Sequence, residues 1–147
     1  MSNEEGGRTV TDAPAEAENA RIARAWFDFH SAGDADAAYD LVHEDVIWES
    51  PVAPPNTKMN TRAGVKGMIE KILAASVDGK FTFKIHQMVA KGDVVVTRAE
   101  SHVPLNNGKL YSNKYTFWFR FKDGLIVWAS EHVDTAHGAD RLTGIIY

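Results

Sequence analysis

The sequence predicts an α+β domain in which a group of helices packs against one face of a curved antiparallel sheet. Apolar residues recur at helical spacing in several stretches of the first half of the chain, up to about residue 73. From residue 81 to residue 134 apolar residues alternate instead, and short turns separate the alternating stretches. Short turns join antiparallel neighbours, so these strands are expected to form a meander. Helices that precede such a sheet are expected to cover one of its faces.

Length and composition are those of one folded domain. The chain has 147 residues, of which 44% are hydrophobic, and this is enough for a sizeable core. Residues 1–12 are mostly polar and contain two glycines, so we expect them to be a disordered arm. Residues 13–147 then form the single domain.

Charge and cysteine content exclude several classes of protein. The formal net charge of -4 gives no basic surface for nucleic acid. The chain has no cysteine, which excludes disulfides and thiolate catalysis. No apolar run approaches the roughly 20 residues that span a bilayer, and the N-terminus lacks the features of a signal peptide. We therefore expect a cytoplasmic protein with neither nucleic acid nor a membrane as its partner.

Three helices are predicted before the long strands. Asp12 is expected to cap the first helix, which has Pro14 in its first turn and ends at Gly33. Asp34 is expected to cap a short second helix that runs to about residue 42, and Thr61 a third. The apolar stripes are Ile22, Trp26, Phe29 and His30 in the first helix, Ala38 and Leu41 in the second, and Val65, Met68, Ile69, Ile72 and Leu73 in the third.

One short strand and four long strands are predicted. The short strand covers residues 46–49 and leads into an irregular, proline-containing loop at residues 51–55. Phe81, Phe83 and Ile85 alternate in the first long strand, and the turn at residues 91–93 leads into the meander.

Turn chemistry predicts how the last three strands pair. Asn107-Gly108 is the sequence of a two-residue type I′ turn, and this turn would place Glu100 opposite Tyr115. Residues 122–124 favour a three-residue loop with glycine in the left-handed region, which would place Tyr115 opposite Glu131. Directly paired residues share a face of the sheet. We therefore predict one row of Glu100, Tyr115 and Glu131 on the face covered by the helices.

The same pairing predicts an acid–base site. Arg98 would lie on that face beside both glutamates, with apolar side chains around them. A nearby cation keeps a carboxylate ionised, whereas burial keeps a carboxyl protonated. Glu131 would then draw a proton from water while Glu100 donates a proton to the leaving oxygen of an epoxide.

Each of these residues also has a structural interpretation. Arg98, Glu100 and Glu131 also fit a structural ion network under the helices. Tyr115 fits a core aromatic residue with a satisfied hydroxyl, and His102 fits a solvated histidine at the polar end of the sheet.

The order of elements resembles that of the nuclear transport factor 2-like superfamily over about residues 16–136. The resemblance rests on Ser31-Ala32-Gly33-Asp34 after the first helix, His43-Glu44-Asp45-Val46 before the first strand, and the two hairpin turns. It implies a cone-shaped domain whose sheet wraps around a deep internal pocket closed by the three N-terminal helices. The fold hosts both enzymes and binding modules, so it does not specify a function.

Within this superfamily, limonene-type epoxide hydrolases resemble the chain in their charged residues. Arg98-Ala99-Glu100 matches their Arg-x-Asp element with glutamate in place of aspartate, and Glu131 matches their second acid. Trp48 and Ser50 stand where that branch has the tyrosine and asparagine that hold the attacking water.

Two other branches of this superfamily bear on the function of the chain. The ketosteroid isomerase positions correspond to Trp26, Ser50 and Phe117, none of which carries the tyrosine or aspartate of that enzyme. SnoaL-like polyketide cyclases are similar in overall order, and their acid–base chemistry would use His102 and Glu131.

Two classes of function follow from these patterns. The first is a cofactor-independent acid–base enzyme that acts on an apolar oxygenated molecule, either like an epoxide hydrolase or like a SnoaL-like cyclase or isomerase. The second is a non-catalytic ligand-binding or dimerisation module. The histidines show no metal-ligand spacing, so we expect no metal site. The predicted catalytic residues are Arg98, Glu100 and Glu131, and the predicted substrate-binding residues are Tyr115, Trp48, Ser50, Trp26, Phe117, His102 and Met68.

The opposite face of the sheet predicts a homodimer. Two tryptophans beside an isoleucine make this face more apolar than a surface that faces only water. Its expected members are Val95, Thr97, Thr116, Trp118, Ile126, Trp128 and His132.

Overall fold

The computed structural model describes residues 7–10, 13–51 and 58–147. Within these ranges the chain forms four helices and eight strands. In chain order they are β1 (Arg8–Val10), α1 (Pro14–Ser31), α2 (Ala35–Asp40), β2 (Val42–Glu49), β3 (Lys58–Met59), α3 (Arg62–Ala75), β4 (Thr82–Lys91), β5 (Val94–Pro104), β6 (Leu110–Tyr111), β7 (Lys114–Lys122), β8 (Leu125–Val133) and α4 (Thr135–Leu142).

The described strands form a single curved, unclosed sheet, which confirms the predicted α+β class. The strand order is β1-β4-β5-β7-β8-β2-β3, and β6 pairs with β5. The four long strands β4, β5, β7 and β8 are antiparallel neighbours, as expected from their short turns. Two pairings are parallel, β1 with β4 and β2 with β8. No local turn encodes these two pairings, because parallel strands need a long connection.

Part of the expected N-terminal arm is a strand. Residues 8–10 pair with residues 87–89 of β4, and Arg24 of α1 donates a hydrogen bond from Nη2 to Thr9 Oγ1 at 2.8 Å. Two of the three residues of β1 are β-branched, which suits an edge strand. Residues 1–6, 11 and 12 lie outside the described residues, and so does the expected cap of α1 by Asp12.

The capping signals in the sequence correctly mark two of the helices. The Asp34 side chain accepts a hydrogen bond from the backbone N–H of Ala37, and that of Thr61 accepts one from the backbone N–H of Gly64. Gly33 ends α1 with a φ of +79°, a conformation that glycine adopts without strain. The second helix is shorter than expected because β2 already begins at Val42.

Helix α4 was not predicted. It follows β8 directly, and the carboxylate of Asp134 caps it by accepting a hydrogen bond from the backbone N–H of His137 at 3.1 Å. The domain therefore has a C-terminal helix in addition to the three N-terminal ones.

The predicted pairing of β5 with β7 is wrong by one residue. The loop that follows β5 and leads to β6 contains three residues, 106–108, because Leu105 donates its N–H to the carbonyl of Lys109 at 2.9 Å. Gly108 occupies the left-handed position with a φ of +83°. Arg98 consequently pairs with Thr116, and Ala99 pairs with Tyr115. A slip of one residue moves every side chain of a strand to the other face.

The pairing of β7 with β8 differs from the prediction by two residues. Because side chains alternate between the two faces, a shift of two leaves a side chain on its predicted face. Asp123 and Gly124 form a two-residue turn, both with positive φ, between the paired residues Lys122 and Leu125. An irregularity between Arg120 and Phe121 shifts the pairing further. Glu131 therefore lies opposite Phe117 instead of Tyr115, and it remains on the inner face.

Aromatic side chains fill much of the space between the helices and the inner face of the sheet. Trp26 of α1 is at the centre, and its ring centroid lies between 4.1 and 6.3 Å from its neighbours' centroids. These neighbours are Phe27, His30, Tyr39, Trp48, Phe83, Phe117 and Phe119.

Candidate acid–base site

Glu131 is a carboxyl group on the inner, largely apolar face of the sheet. Its cross-strand partner is Phe117, whose own partner on β5 is Thr97. Only 9% of Glu131 is exposed. A carboxyl group at such a position loses most of its hydration and needs hydrogen-bond donors from the protein.

Strand β2 supplies the donors. The parallel pairing of β2 with β8 places Trp48 next to Ala129, and the indole Nε1–H of Trp48 donates to Glu131 Oε2 at 2.6 Å. The side chain of Ser50, which directly follows β2 and is also buried, forms a second hydrogen bond with Glu131. Both donors are neutral, so the carboxylate has hydrogen bonds but no counter-ion from these two residues.

Burial and the two hydrogen bonds act in opposite directions on the acidity of Glu131. Burial disfavours the charged form and raises the pKa of this carboxyl, while the donors Trp48 and Ser50 favour the charged form and lower it. The burial effect is larger, and the pKa of Glu131 is raised to about 7. Both protonation states are therefore populated at neutral pH, which is the requirement for a general acid–base catalyst.

Glu131 lines a cavity of about 490 Å³ at the ends of β2 and β8. Ser50, Lys58 and His132 are among the other residues of its wall. This volume is in the range that holds small organic molecules.

Several buried polar atoms of the aromatic cluster around Trp26 lack hydrogen-bond partners. Among the described residues, Nε1 of Trp26, both ring nitrogens of His30 and the hydroxyl of Tyr39 are buried and lack a partner of ordinary geometry. Burial lowers the pKa of His30 to about 3, and the nearby carbonyl of Trp26 offsets this only in part, so the ring is neutral. Burial raises the pKa of the Tyr39 phenol, and the negative charge of Glu131 nearby adds a smaller contribution in the same direction.

Arg98, Glu100 and His102 are not at this site. All three lie on the outer face of the sheet, because β5 pairs with β7 one residue away from the predicted register. Glu100 Oε2 is 3.0 Å from Nε2 of His86, and Arg98 lines an outer cavity of about 320 Å³ with both of them. The predicted row of Glu100, Tyr115 and Glu131 does not exist, since Tyr115 faces neither glutamate.

The other predicted substrate-binding residues are dispersed. Phe117 and Trp26 belong to the aromatic cluster in contact with Trp48. The hydroxyl of Tyr115 donates to that of Tyr111 at 2.7 Å, so this tyrosine has a satisfied polar end. Met68 of α3 lines a different cavity, beside Met59.

Residues near the site that were not predicted left only weak signals in the sequence. His30 follows Trp26 by four residues on the apolar stripe of α1, so its burial was predictable although its missing partners were not. Nothing in the pattern around Lys58 indicated that it lines the cavity of Glu131.

The described residues contain neither a metal-binding cluster nor a helix suited to a membrane. No group of three or more histidine, aspartate or glutamate side chains in the described part of the chain is placed to hold a metal ion. None of the helices in residues 13–51 and 58–147 is both long and apolar enough to cross a membrane.

Comparisons with known proteins agree with this architecture. The family model of the SnoaL-like domain matches residues 23–129. A search of curated proteins finds no match. Among solved structures, Bal32a from a soil-derived mobile gene cassette has a TM-score of 0.74 at 17% identity, covering 90% of this chain and 98% of its own.

Two further solved structures show the same fold. An LEH-like epoxide hydrolase of M. tuberculosis has a TM-score of 0.70 at 17% identity, with 90% of this chain and 92% of its own covered. TerC, co-crystallised with polyporic acid, has a TM-score of 0.72 at 17% identity, with 86% of this chain and 98% of its own covered.

Proposed function

The chain belongs to the SnoaL-like domain family, and we propose that it is an acid–base enzyme that acts on a small, largely apolar, oxygenated molecule without a cofactor. The observation that carries the proposal is Glu131, a buried carboxyl with a pKa of about 7 in the wall of a cavity. Neutral donors hold it in place, so that it can gain and lose a proton without breaking an ion pair.

Proton transfer at carbon is the reaction that one such carboxyl can perform. The carboxylate of Glu131 removes a proton from a carbon next to a carbonyl group. The electron pair of the broken C–H bond forms the C=C bond of an enolate, and the π pair of the carbonyl moves onto its oxygen. Glu131, now protonated, returns the proton to carbon, at the same atom or at a neighbouring one. Charge on that oxygen needs hydrogen-bond donors, and Ser50 and His132 are residues of the same cavity wall whose side chains carry them.

Hydrolysis of an epoxide is supported less well. It needs a second group that donates a proton to the leaving oxygen while the first activates water. Glu100 was expected in that role, but it lies on the outer face of the sheet, opposite to Glu131. We therefore favour an isomerase-like or cyclase-like reaction over a hydrolase-like one.

The first test is deuterium exchange. Wild-type protein in D₂O is incubated with a panel of enolisable cyclic ketones, and exchange at the carbon next to the carbonyl is followed by proton NMR. We expect Glu131→Gln to lower the exchange rate by roughly 10²–10⁴-fold, since glutamine cannot carry the proton. The wild-type rate at low substrate concentration should rise with pH up to about 7 and then level off, following the ionisation of Glu131.

Glu44→Gln is the matched control, because Glu44 is an exposed residue of β2 whose removal leaves Glu131 untouched. A Glu131→Gln protein that exchanges as fast as wild type would contradict the proposal. A parallel panel of small cyclic epoxides, analysed for diols, tests the hydrolase alternative.

One observation favours a second candidate function, a non-catalytic ligand-binding module. The inner face of the sheet is packed with aromatic rings around Trp26 that leave little room beside the helices. Wild-type protein that binds panel molecules but exchanges and hydrolyses none of them would support this second function.

A further inference from the structure

A second cavity adjoins that of Glu131. It has a volume of about 360 Å³ and lies along α3, with Met59, Gly67, Met68 and Ile146 in its wall; we call it the α3 groove. Lys58 lines both cavities. Met59 is also the cross-strand partner of Trp48, which donates a hydrogen bond to Glu131. The groove and the cavity of Glu131 therefore meet at Lys58.

The α3 groove combines apolar walls with two lysines. Lys58 and Lys71 both line it, both are exposed, and neither forms an ion pair with any residue that the structure describes. Lys66 of the same helix, in contrast, is paired with Asp36 at 2.5 Å. The cross-strand neighbour of Lys58 is Glu49, whose carboxylate instead accepts a hydrogen bond from Trp128. Two unpaired ammonium groups beside an apolar space are complementary to an anion that carries an apolar chain.

A glycine keeps the groove open. Gly67 lies inside α3, where alanine would stabilise the helix, and a β-carbon built at this position meets no described atom within 4 Å. The space above Gly67 is therefore not used for packing within the described part of the chain.

We propose that the α3 groove binds the apolar chain of an amphipathic carboxylic acid, whose carboxylate is held by Lys58 and Lys71. The binding of this anion stands on the groove alone. We further propose that the oxygenated end of the same molecule, opposite to its carboxylate, reaches Glu131 for proton transfer. This second part rests on the proposed function. The substrate class is accordingly an oxygenated carboxylic acid with an apolar chain.

The test uses dodecanoate and protein labelled with ¹³C at the methionine methyl groups. Titration below the critical micelle concentration is expected to shift the methyl signals of Met59 and Met68 in a saturable way. The signal of Met88, which is buried in β4 away from the groove, is expected to stay in place. Dodecyltrimethylammonium has the same chain with a cationic head and is expected to cause no shifts at the same concentrations.

Variants locate the two parts of the site. Lys58→Met and Lys71→Met are each expected to weaken dodecanoate binding by roughly threefold to fivefold, as for a partly exposed ion pair. Lys122→Met removes the same charge from an exposed position at the end of β7 and should have no effect. Gly67→Leu fills the groove and should weaken binding by about tenfold or more. Ala74→Leu makes a comparable change at an exposed position of α3 outside the groove and should bind as wild type does.

The outcomes separate this inference from the proposed function. Unmoved Met59 and Met68 signals, equal binding of the two amphiphiles, or full binding by Gly67→Leu would each overturn the groove proposal. Glu131→Gln is expected to bind dodecanoate with wild-type affinity. Exchange activity without dodecanoate binding would therefore refute only the groove, and binding without exchange activity would refute only the enzyme.

Discussion

Glu131 has an unusual environment for a carboxyl group, because its hydrogen-bond donors are neutral and its surroundings are aromatic. The structural alternative in the sequence was an ion network of Arg98, Glu100 and Glu131. Arg98 lies on the opposite face of the sheet, so this network is not formed. Glutamine at position 131 would keep the size of the side chain and an oxygen that accepts from Trp48.

The stability of Glu131→Gln should depend on pH in a defined direction. The pKa of Glu131 is raised from 4.5 to about 7 in the folded state, so between these values the folded protein binds more protons than the unfolded chain. The wild-type free energy of unfolding consequently falls over this interval, by up to about 3 kcal/mol, as the pH rises. Glutamine does not titrate, so the variant should gain stability relative to wild type from pH 4.5 to 7 and keep that gain above pH 8.

Urea denaturation at a series of pH values measures this difference. The exposed control Glu44→Gln should give a curve parallel to that of wild type. A parallel curve for Glu131→Gln would show that the carboxyl has no raised pKa.

At the scale of elements, one side chain joins the last part of the sheet to the C-terminal helix. Asn113 lies between β6 and β7 and is buried. Its Nδ2 donates to the carbonyl of Asp134 at 3.0 Å and to the hydroxyl of Tyr111 at 3.3 Å. Its Oδ1 accepts from the backbone N–H groups of Asp134 and Lys114. Because Asp134 caps α4, this side chain fixes the start of that helix against the sheet.

Asn113→Ala should therefore destabilise the protein by about 2–4 kcal/mol, since it removes several hydrogen bonds of a buried side chain and leaves partly buried backbone groups unsatisfied. Asn107→Ala is the control. Asn107 is exposed in the loop between β5 and β6, and its loss should have an effect below about 1 kcal/mol. Guanidinium denaturation of both variants measures these effects. A loss below 1 kcal/mol for Asn113→Ala would show that the network contributes little.

At the scale of the whole molecule, the outer face of the sheet differs from the expected one. Val95, Thr97 and Ile126 were expected there but are buried on the inner face, because of the register of β5 and the irregularity near β8. Thr116, Trp118, Trp128 and His132 do lie outside. Val89, Val96 and Trp118 form one row across three strands, and Trp118 is 41% exposed. Arg120 covers the neighbouring Trp128 at 5.2 Å from the ring centroid.

We propose that this row is the centre of a homodimer interface, since an exposed tryptophan beside two valines is buried favourably against a second copy. Sedimentation velocity at micromolar concentration should give twice the chain mass of 16.3 kDa for wild type. Trp118→Lys should sediment as a monomer, because it places like charges at the interface. Val77→Lys is the control, because Val77 is an apolar residue outside the sheet that is 65% exposed. This variant should remain dimeric. A wild-type monomer would contradict the proposal.

The local sequence determined most of the elements of this fold. The caps Asp34 and Thr61 and the helical stripes act within a few residues, so they could be recognised without tertiary information. The alternation along β5 also contained the correct face. Small or apolar Thr97, Ala99 and Ser101 alternate with Arg98, Glu100 and His102, and this pattern favours charges on the solvent side. The prediction instead counted from an assumed two-residue turn at Asn107-Gly108, and this count placed the charged residues on the inner face.

Tertiary structure alone decided the register and the site. One extra residue in the loop at 106–108 turned three predicted site residues outward, and no propensity distinguishes the two loop lengths there with certainty. The placement of Trp48 at Glu131 joins residues 83 positions apart through the parallel pairing of β2 with β8. Such a pairing is set by the packing of the whole domain, because no short turn connects the two strands. The raised pKa of Glu131 follows from that packing, since burial among aromatic side chains is a property of the folded chain.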